Sequence, residues 1–185
     1  MKKSMISMAA VLLAALMTTT VLTSCSKDDD NEPKKAELTK AIVKYTVTSN
    51  SATLGLYKVN VYGTGADGKG FVETMSNPSY TKTVEIPVSK LPCTIEFTTN
   101  ASPLEDKEAT EKFDYEVERN IDIMTVRSDD TVVDGIDRTN TSFEFNVPVG
   151  KSLSELATRM NNHKKYVIYI DANGKITDQT KESLL

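Results

Sequence analysis

Three side chains of this 185-residue chain are suited to nucleophilic or zinc chemistry: Cys25, Cys93 and His163. A closed zinc site has four ligands and would need nearly every candidate in the chain. A catalytic thiol needs a base, and His163 is the only histidine that could serve Cys93. Cys93 also begins an alternating run in which Ile95 and Phe97 share its face. We therefore expect Cys93 to be buried and inert.

Acidic residues offer a second kind of chemistry. Four carboxylates within nine residues could bind Ca²⁺ from a loop, although such a run is more often solvated: Asp129, Asp130, Asp134 and Asp137. The loop Asp171–Gly174 has its glycine at the fourth position, where an EF-hand needs it at the sixth, so we interpret it as a hairpin. Beyond this calcium candidate we predict no metal site and no cofactor.

Glycoside hydrolysis would need two carboxylates in a cleft, usually with aromatic walls. The chain has no Trp, and the tyrosines that could stack on a sugar lie partly in alternating segments: Tyr57, Tyr62, Tyr80, Tyr166 and Tyr169. No nucleophile elbow, P-loop, dinucleotide fingerprint or HExxH motif is present. These features favour a protein that is not an enzyme. The formal net charge of -4 disfavours a nucleic-acid partner.

The first 25 residues have the organisation of an export signal. Lys2 and Lys3 precede an apolar run of 12 residues, Ile6–Met17, which is shorter than the roughly 20 residues of a spanning helix. The following tetrapeptide, Leu22-Thr23-Ser24-Cys25, resembles the bacterial lipobox. The resemblance implies that residues 1–24 are removed and that Cys25 carries diacylglycerol and a further acyl chain such as palmitate. Several acyl chains would anchor the protein firmly to a membrane.

Residues 25–39 are polar and charged, and we interpret them as a disordered, lipidated tether. Their start is similar to the acidic segment that follows the lipidated cysteine in many lipoproteins of the Bacteroidota: Ser26, Lys27, Asp28, Asp29 and Asp30. In that family the segment acts like a signal for export to the outer leaflet. The resemblance implies an outer-membrane lipoprotein that faces the cell exterior. A plain linker, with the protein facing the periplasm, is the alternative.

Residues 40–185 alternate apolar and polar side chains with period two in several segments. Examples with one apolar face are Val43–Val47, Phe113–Val117 and Phe143–Val147, and Ile121–Val126 is expected as a separate neighbouring strand. A slip of the alternation between Leu56 and Tyr57 predicts a β-bulge or bend. About nine short strands predict a mainly β fold, a single antiparallel Ig-like β-sandwich.

One short α-helix is expected near residues 152–162. Ser152 and Glu155 form a capping-box pattern, and an apolar stripe with helical spacing follows: Leu153, Leu156, Ala157 and Met160. The region Lys44–Phe97 also resembles an Ig-like β module of Bacteroidota lipoproteins, on the basis of Asn60-Val61-Tyr62, Asp67-Gly68 and Leu91-Pro92.

The tripeptide Asp130-Thr131-Val132 resembles the O-glycosylation pattern of envelope proteins in the Bacteroidota. The resemblance would make Thr131 the acceptor of a glycan.

Together these features predict a non-catalytic lipoprotein that binds a glycan or other polymer, or a protein partner, or accompanies a larger outer-membrane complex. A fimbrial or adhesive subunit is the main alternative, and a small envelope hydrolase or inhibitor is a further one. Loops usually carry binding in a sandwich. The predicted contact loops are Gly63–Gly70 and Asp129–Asp137.

Overall fold

The computed structural model describes residues 36–181, which form two antiparallel β-sheets and thereby confirm the predicted sandwich. Its elements are β1 (Leu38–Ser49), α1 (Ser51–Leu56), β2 (Tyr57–Thr64), β3 (Gly70–Thr74), β4 (Ser79–Pro87), β5 (Cys93–Pro103), β6 (Phe113–Arg127), β7 (Val132–Val147), α2 (Leu153–Asn161), β8 (Tyr166–Ile170) and β9 (Ile176–Asp178). The lipid-attachment candidate Cys25 and the acidic segment 26–30 lie outside the described residues. Within residues 36–181, no helix is long and apolar enough to cross a bilayer.

The strand order is β4-β1-β6-β7 in one sheet and β3-β2-β5-β8-β9 in the other. In an Ig domain strand B pairs with strand E, and strand C pairs with strand F. The pairs β1–β4 and β2–β5 reproduce this arrangement, and β3 lies beside β2 as strand C′ lies beside strand C. β6 occupies the position beside β1 that strand A takes in an Ig domain.

The core lies between the sheets, because alternate residues of each central strand point inward. Val43, Tyr45 and Val47 of β1 are fully buried, as are Val59 and Val61 of β2. Full burial of one aliphatic side chain of this size stabilises a fold by about 1.5–3 kcal/mol. The inward side chains therefore stabilise the packing of the two sheets, and the outward side chains are not needed for that packing.

Two predictions about the strands are wrong. The slip between Leu56 and Tyr57 is not a bulge: it marks the point where α1 ends and β2 begins. Asn50 caps α1 by accepting a 2.7 Å hydrogen bond from the backbone N–H of Thr53, a short-range contact that competes with strand formation. The predicted strands Phe113–Val117 and Ile121–Val126 are a single strand, β6, since β7 pairs with it from Phe113 to Val126.

The prediction that Phe143, Phe145 and Val147 share one inward face of β7 is also wrong. Phe143 and Phe145 are 53% and 60% exposed, whereas Val147 is buried. Asn146 has a φ of 53°, and the β6–β7 register shifts at this point, so a bulge changes the phase of the alternation. The two phenylalanine rings pack on each other outside the sandwich, with centroids 5.0 Å apart.

The helix predicted near residues 152–162 is confirmed as α2. The Ser152 hydroxyl accepts a hydrogen bond from the Glu155 N–H, and Leu153, Leu156 and Ala157 are buried. α2 packs beside β5 beyond the stretch that pairs with β8. Asn161 completes this contact, because its side-chain amide accepts from the Ala101 N–H at 2.8 Å and donates to the Ala101 carbonyl at 2.7 Å.

Candidate functional site

A groove of about 480 Å³ crosses the outward face of the five-stranded sheet. Val72 of β3, Tyr62 of β2 and Thr98 of β5 are paired in one row across three strands, so their side chains share this face. Val72 is 60% exposed, and it offers an apolar contact next to the Tyr62 ring. The wall towards β8 contains Thr94, Glu96 and Lys165.

The predicted contact loop Gly63–Gly70 forms the upper wall of the groove. Its tip is closed by hydrogen bonds from the Gly65 N–H to the Lys69 carbonyl (2.7 Å) and from the Gly68 N–H to the Gly65 carbonyl (3.0 Å). Gly68 has a φ of +79°, which a residue with a side chain rarely adopts. At the base, the buried Tyr45 hydroxyl donates to the Thr64 carbonyl at 2.7 Å. These hydrogen bonds therefore fix the conformation of this wall in the absence of a ligand.

The β3 side of the groove is held by charged contacts with the neighbouring sheet. Glu73 accepts hydrogen bonds from the Lys82 ammonium and, at 3.0 Å, from the Tyr80 hydroxyl. The hydrogen bond from Lys82, aided by the one from Tyr80, lowers the pKa of Glu73. Lys82 also lies 4.4 Å from the centre of the Phe71 ring, a cation–π distance. These contacts fix β3 relative to β4.

The chemistry of the groove suits neutral polar ligands. Glu96 and Lys165 form a 2.5 Å ion pair, so neither charge stands alone. The Thr98 hydroxyl contacts His163 Nε2 at 3.1 Å, and Thr94 adds a second hydroxyl. An apolar floor with a few hydroxyl and charged groups at its margin is the usual composition of a ligand site.

The other sugar-stacking candidates are used elsewhere. Tyr57 and Tyr166 are buried in the interior, and Tyr80 contacts Glu73 at the sheet edge. Burial raises the pKa of Tyr57 to about 12 and also raises the pKa of Tyr80. Tyr169 points outward on β8 but does not line the groove. Of the five tyrosines, Tyr62 is the one in the candidate site.

The calcium candidates do not converge. Asp129 accepts from the Thr131 N–H and hydroxyl, which lowers its pKa, and Asp134 accepts from the Ile176 N–H at 2.8 Å. Asp137 accepts from Asn120, and Asp130 lies in the β6–β7 turn with a φ of 62°. Among residues 36–181, no three or more His, Cys, Asp or Glu side chains form a group that could hold a metal ion.

The glycosylation candidate Thr131 is exposed in the turn between β6 and β7. Its hydroxyl donates to Asp129 at 2.7 Å. This turn and the Gly63–Gly70 loop lie at the same end of the sandwich, because Leu38 at the start of β1 pairs with Arg127 and Thr64 ends β2. The loop lies on the side of the sandwich where β3 contacts β4, and the turn lies on the side where β7 contacts β9.

Cys93 and His163 lie apart. Cys93 begins β5 and is half-buried, which raises the pKa of its thiol. His163 contacts Thr98, which lies five residues after Cys93 in β5. Five residues of a strand place Thr98 about 16 Å from Cys93. Burial, assisted by the charge of Arg119, lowers the pKa of His163 to about 4. The imidazole is therefore neutral at pH 7 and serves as a hydrogen-bonding link between α2 and β5.

A buried polar cluster surrounds Arg119, and no sequence prediction included it. This side chain is 0% exposed and contacts Thr99 Oγ1 at 3.5 Å, Ser142 Oγ at 3.1 Å and the Asn140 amide oxygen. Burial lowers the pKa of Arg119 to about 10. A signal was present, because Arg119 shares the odd-numbered positions of β6 with buried Val117 and Ile121. The prediction of two separate strands placed Arg119 between them, so its inward position in β6 was not recognised.

No protein-family model, curated protein or solved structure matches this chain.

Proposed function

We propose that this protein is a lipid-anchored, cell-surface binding protein without catalytic activity, and that its groove takes a segment of a neutral glycan or similar polymer. The observation that carries the proposal is the row Val72, Tyr62 and Thr98, which places an aromatic ring between an exposed aliphatic side chain and a hydroxyl on one open face. The lipobox and acidic segment support the location.

The open shape of the groove favours a chain over an isolated small molecule. It runs across the strands from the Gly63–Gly70 loop towards Lys165 at the start of β8. A sugar ring has an apolar face and hydroxyl groups at its edge. Tyr62 can stack on such a face, while Thr94, Thr98 and the Glu96–Lys165 pair can bond the hydroxyls. A neutral polymer matches a site in which the two charges already neutralise each other.

The experiment is a binding screen of the purified full-length protein against neutral polysaccharides, followed by calorimetry on each hit. Tyr62→Ala should weaken binding by about thirtyfold or more, because truncation of a central aromatic contact typically costs about 2 kcal/mol or more. Phe145→Ala is the matched control, since Phe145 is an exposed aromatic residue of the other sheet. Equal affinity for wild type and Tyr62→Ala would reject the groove as the site.

The location is tested by protease treatment of intact cells with mass spectrometry of the released peptides. Peptides from residues 40–185 should be released without disruption of the outer membrane. Protection until the membrane is broken would instead place the protein towards the periplasm and shift the search for ligands to envelope partners.

A second candidate, a structural or adhesive subunit, is favoured by β7, which is an edge strand among the described residues. This strand has 16 residues, lies at the edge of its sheet, and exposes Phe143 and Phe145 on its outer face. Long edge strands with exposed apolar residues can pair with another chain. Sedimentation of wild type and a Phe143→Ser, Phe145→Ser variant decides: a stable wild-type monomer counts against assembly, and oligomers lost in the variant support it.

A further inference from the structure

Tyr169 of β8 lies on the same outward face as the groove and directly beside its end. Tyr169 is paired with Thr94, a residue of the groove wall, so the two side chains project from one face. Thr177 of β9 is paired with Tyr169 on its other side. Tyr169 is half-buried, as is Tyr62, so part of each side chain is open to solvent. The face therefore carries a second aromatic residue just outside the groove.

The strand register gives the spacing of the two tyrosines. Tyr62 is paired with Thr98 of β5, and Tyr169 is paired with Thr94 of the same strand. The tyrosines are thus two strands apart across the sheet and four residues apart along it. In a regular sheet this corresponds to about 16 Å between their Cα atoms. Glu96 lies midway, because it is two residues from each of the two threonines. We call this diagonal line the Tyr62–Tyr169 track.

Charges along the track are balanced. Glu96 forms the 2.5 Å ion pair with Lys165, and its neighbour in β8 is the uncharged Val167. A carboxylate accepts hydrogen bonds and an ammonium donates them, so the pair can bond the hydroxyl groups of a neutral polymer. A charged polymer would meet a like charge in the pair as well as an opposite one. The track therefore favours a neutral chain.

The spacing of the tyrosines favours an extended chain. Each pyranose ring of an extended polysaccharide advances the chain by close to the interstrand distance, so the tyrosines lie about three rings apart. A β-1,4-linked chain is a flat ribbon with ring faces along one side, whereas an α-1,4-linked glucan coils. A flat ribbon of sufficient length can therefore stack on both aromatic rings at once.

We propose that the Tyr62–Tyr169 track binds an extended, neutral β-linked polysaccharide across about four sugar rings. Tyr62 stacks on one end ring and Tyr169 on the other, and the Glu96–Lys165 pair bonds the hydroxyl groups between them. This inference rests on the function proposed for the groove and adds to it a substrate class and a second aromatic contact.

The test is calorimetry of the purified full-length protein with xylohexaose, cellohexaose and mannohexaose, each compared with the disaccharide of its series. At least one of these hexaoses should bind about tenfold or more tightly than its disaccharide, because only the longer chain reaches both tyrosines. Maltohexaose, which is α-1,4-linked, should show no such gain over maltose. An equal gain for maltohexaose would overturn the preference for an extended chain.

Tyr169→Ala tests the second aromatic contact. It should weaken binding of the hexaose by about tenfold and change binding of the disaccharide much less. Tyr169→Phe keeps the ring and should keep most of the affinity. Asn100→Ala is the control on the same face, since Asn100 lies on the side of Thr98 away from Thr94, and it should bind like wild type. Equal hexaose affinity in wild type and Tyr169→Ala would overturn the inference. If Tyr169→Ala does not fold, equal affinity of wild type for hexaose and disaccharide overturns it.

The results also separate this inference from the proposed function. Weaker binding in Tyr62→Ala together with unchanged hexaose binding in Tyr169→Ala would keep the groove as the site and reject the track. Binding limited to coiled or branched polysaccharides would likewise reject only the track. The absence of any neutral polysaccharide that binds would reject both proposals.

Discussion

Arg119 of β6 and Tyr166 of β8 project into the sandwich interior from opposite sheets, and each has a buried polar atom without a hydrogen-bond partner in the described residues. The charge of Arg119 and the Tyr166 hydroxyl influence each other's protonation. Natural interiors rarely leave such atoms unsatisfied, and exceptions often mark function. The interior of this sandwich therefore has a polar cluster beside the small cavity that Arg138, Asn140 and Tyr166 help to line.

The charge of Arg119 is expected to contribute little to stability, whereas the volume that its side chain fills is expected to contribute more. Arg119→Met keeps much of its volume and removes a buried charge, so the free energy of unfolding in urea should stay within about 1 kcal/mol of wild type. Arg119→Ala leaves a cavity and should lose about 3 kcal/mol. A loss of similar size in Arg119→Met would show that the hydrogen bonds to Thr99, Asn140 and Ser142 are what stabilise the fold.

His163 should make stability depend on pH below neutrality. Its pKa is about 4 in the fold and 6.5 when exposed, so the unfolded state binds more protons between these values. The contribution is complete above pH 6.5 and is lost as the pH falls through 4. Partial exposure reduces its size to about 2 kcal/mol. Urea titrations from pH 7 to pH 4 should show a smaller decrease for His163→Gln than for wild type, and parallel curves would contradict the assignment.

Asn161 should be the most sensitive polar residue of α2. Its amide satisfies both backbone groups of buried Ala101, and Asn161→Ala would leave them without partners. We expect a loss of about 2 kcal/mol or more in the free energy of unfolding. Asn173→Ala, in the exposed turn between β8 and β9, is the control and should change stability by less than about 0.5 kcal/mol.

Two glycine substitutions should have opposite effects. Gly174 has a φ of +82°, and a Cβ there would lie 2.9 Å from Leu38 Cδ1, so Gly174→Ala should cost about 1–3 kcal/mol. Gly55 lies in α1, and no atom lies within 4 Å of an added Cβ, so Gly55→Ala should stabilise by about 0.5–1 kcal/mol. Urea denaturation of both variants checks the pair. Equal effects would indicate that turn geometry is not the cause.

Local features of the sequence determined much of the architecture. Alternation in Val43–Val47 and Cys93–Phe97 predicted strands, Ser152 and Glu155 predicted the start of α2, and Asp171–Gly174 predicted the closing hairpin. Each of these depends on residues close together in the chain, where backbone preference and capping act. The Gly63–Gly70 loop was predicted for the same reason, although its position at a groove shared with β5 was not.

Only the tertiary structure decided which faces are buried and which groups meet. The bulge at Asn146 depends on Asp114 of a different strand, whose carboxylate accepts the Asn146 N–H at 2.6 Å, and it turns Phe143 and Phe145 outward. The groove and the Arg119 cluster likewise join residues from several strands distant in sequence. The face that a side chain takes depends on how its strand is paired with distant strands, and one additional residue moves the side chains that follow to the opposite face. Local sequence patterns do not contain this pairing.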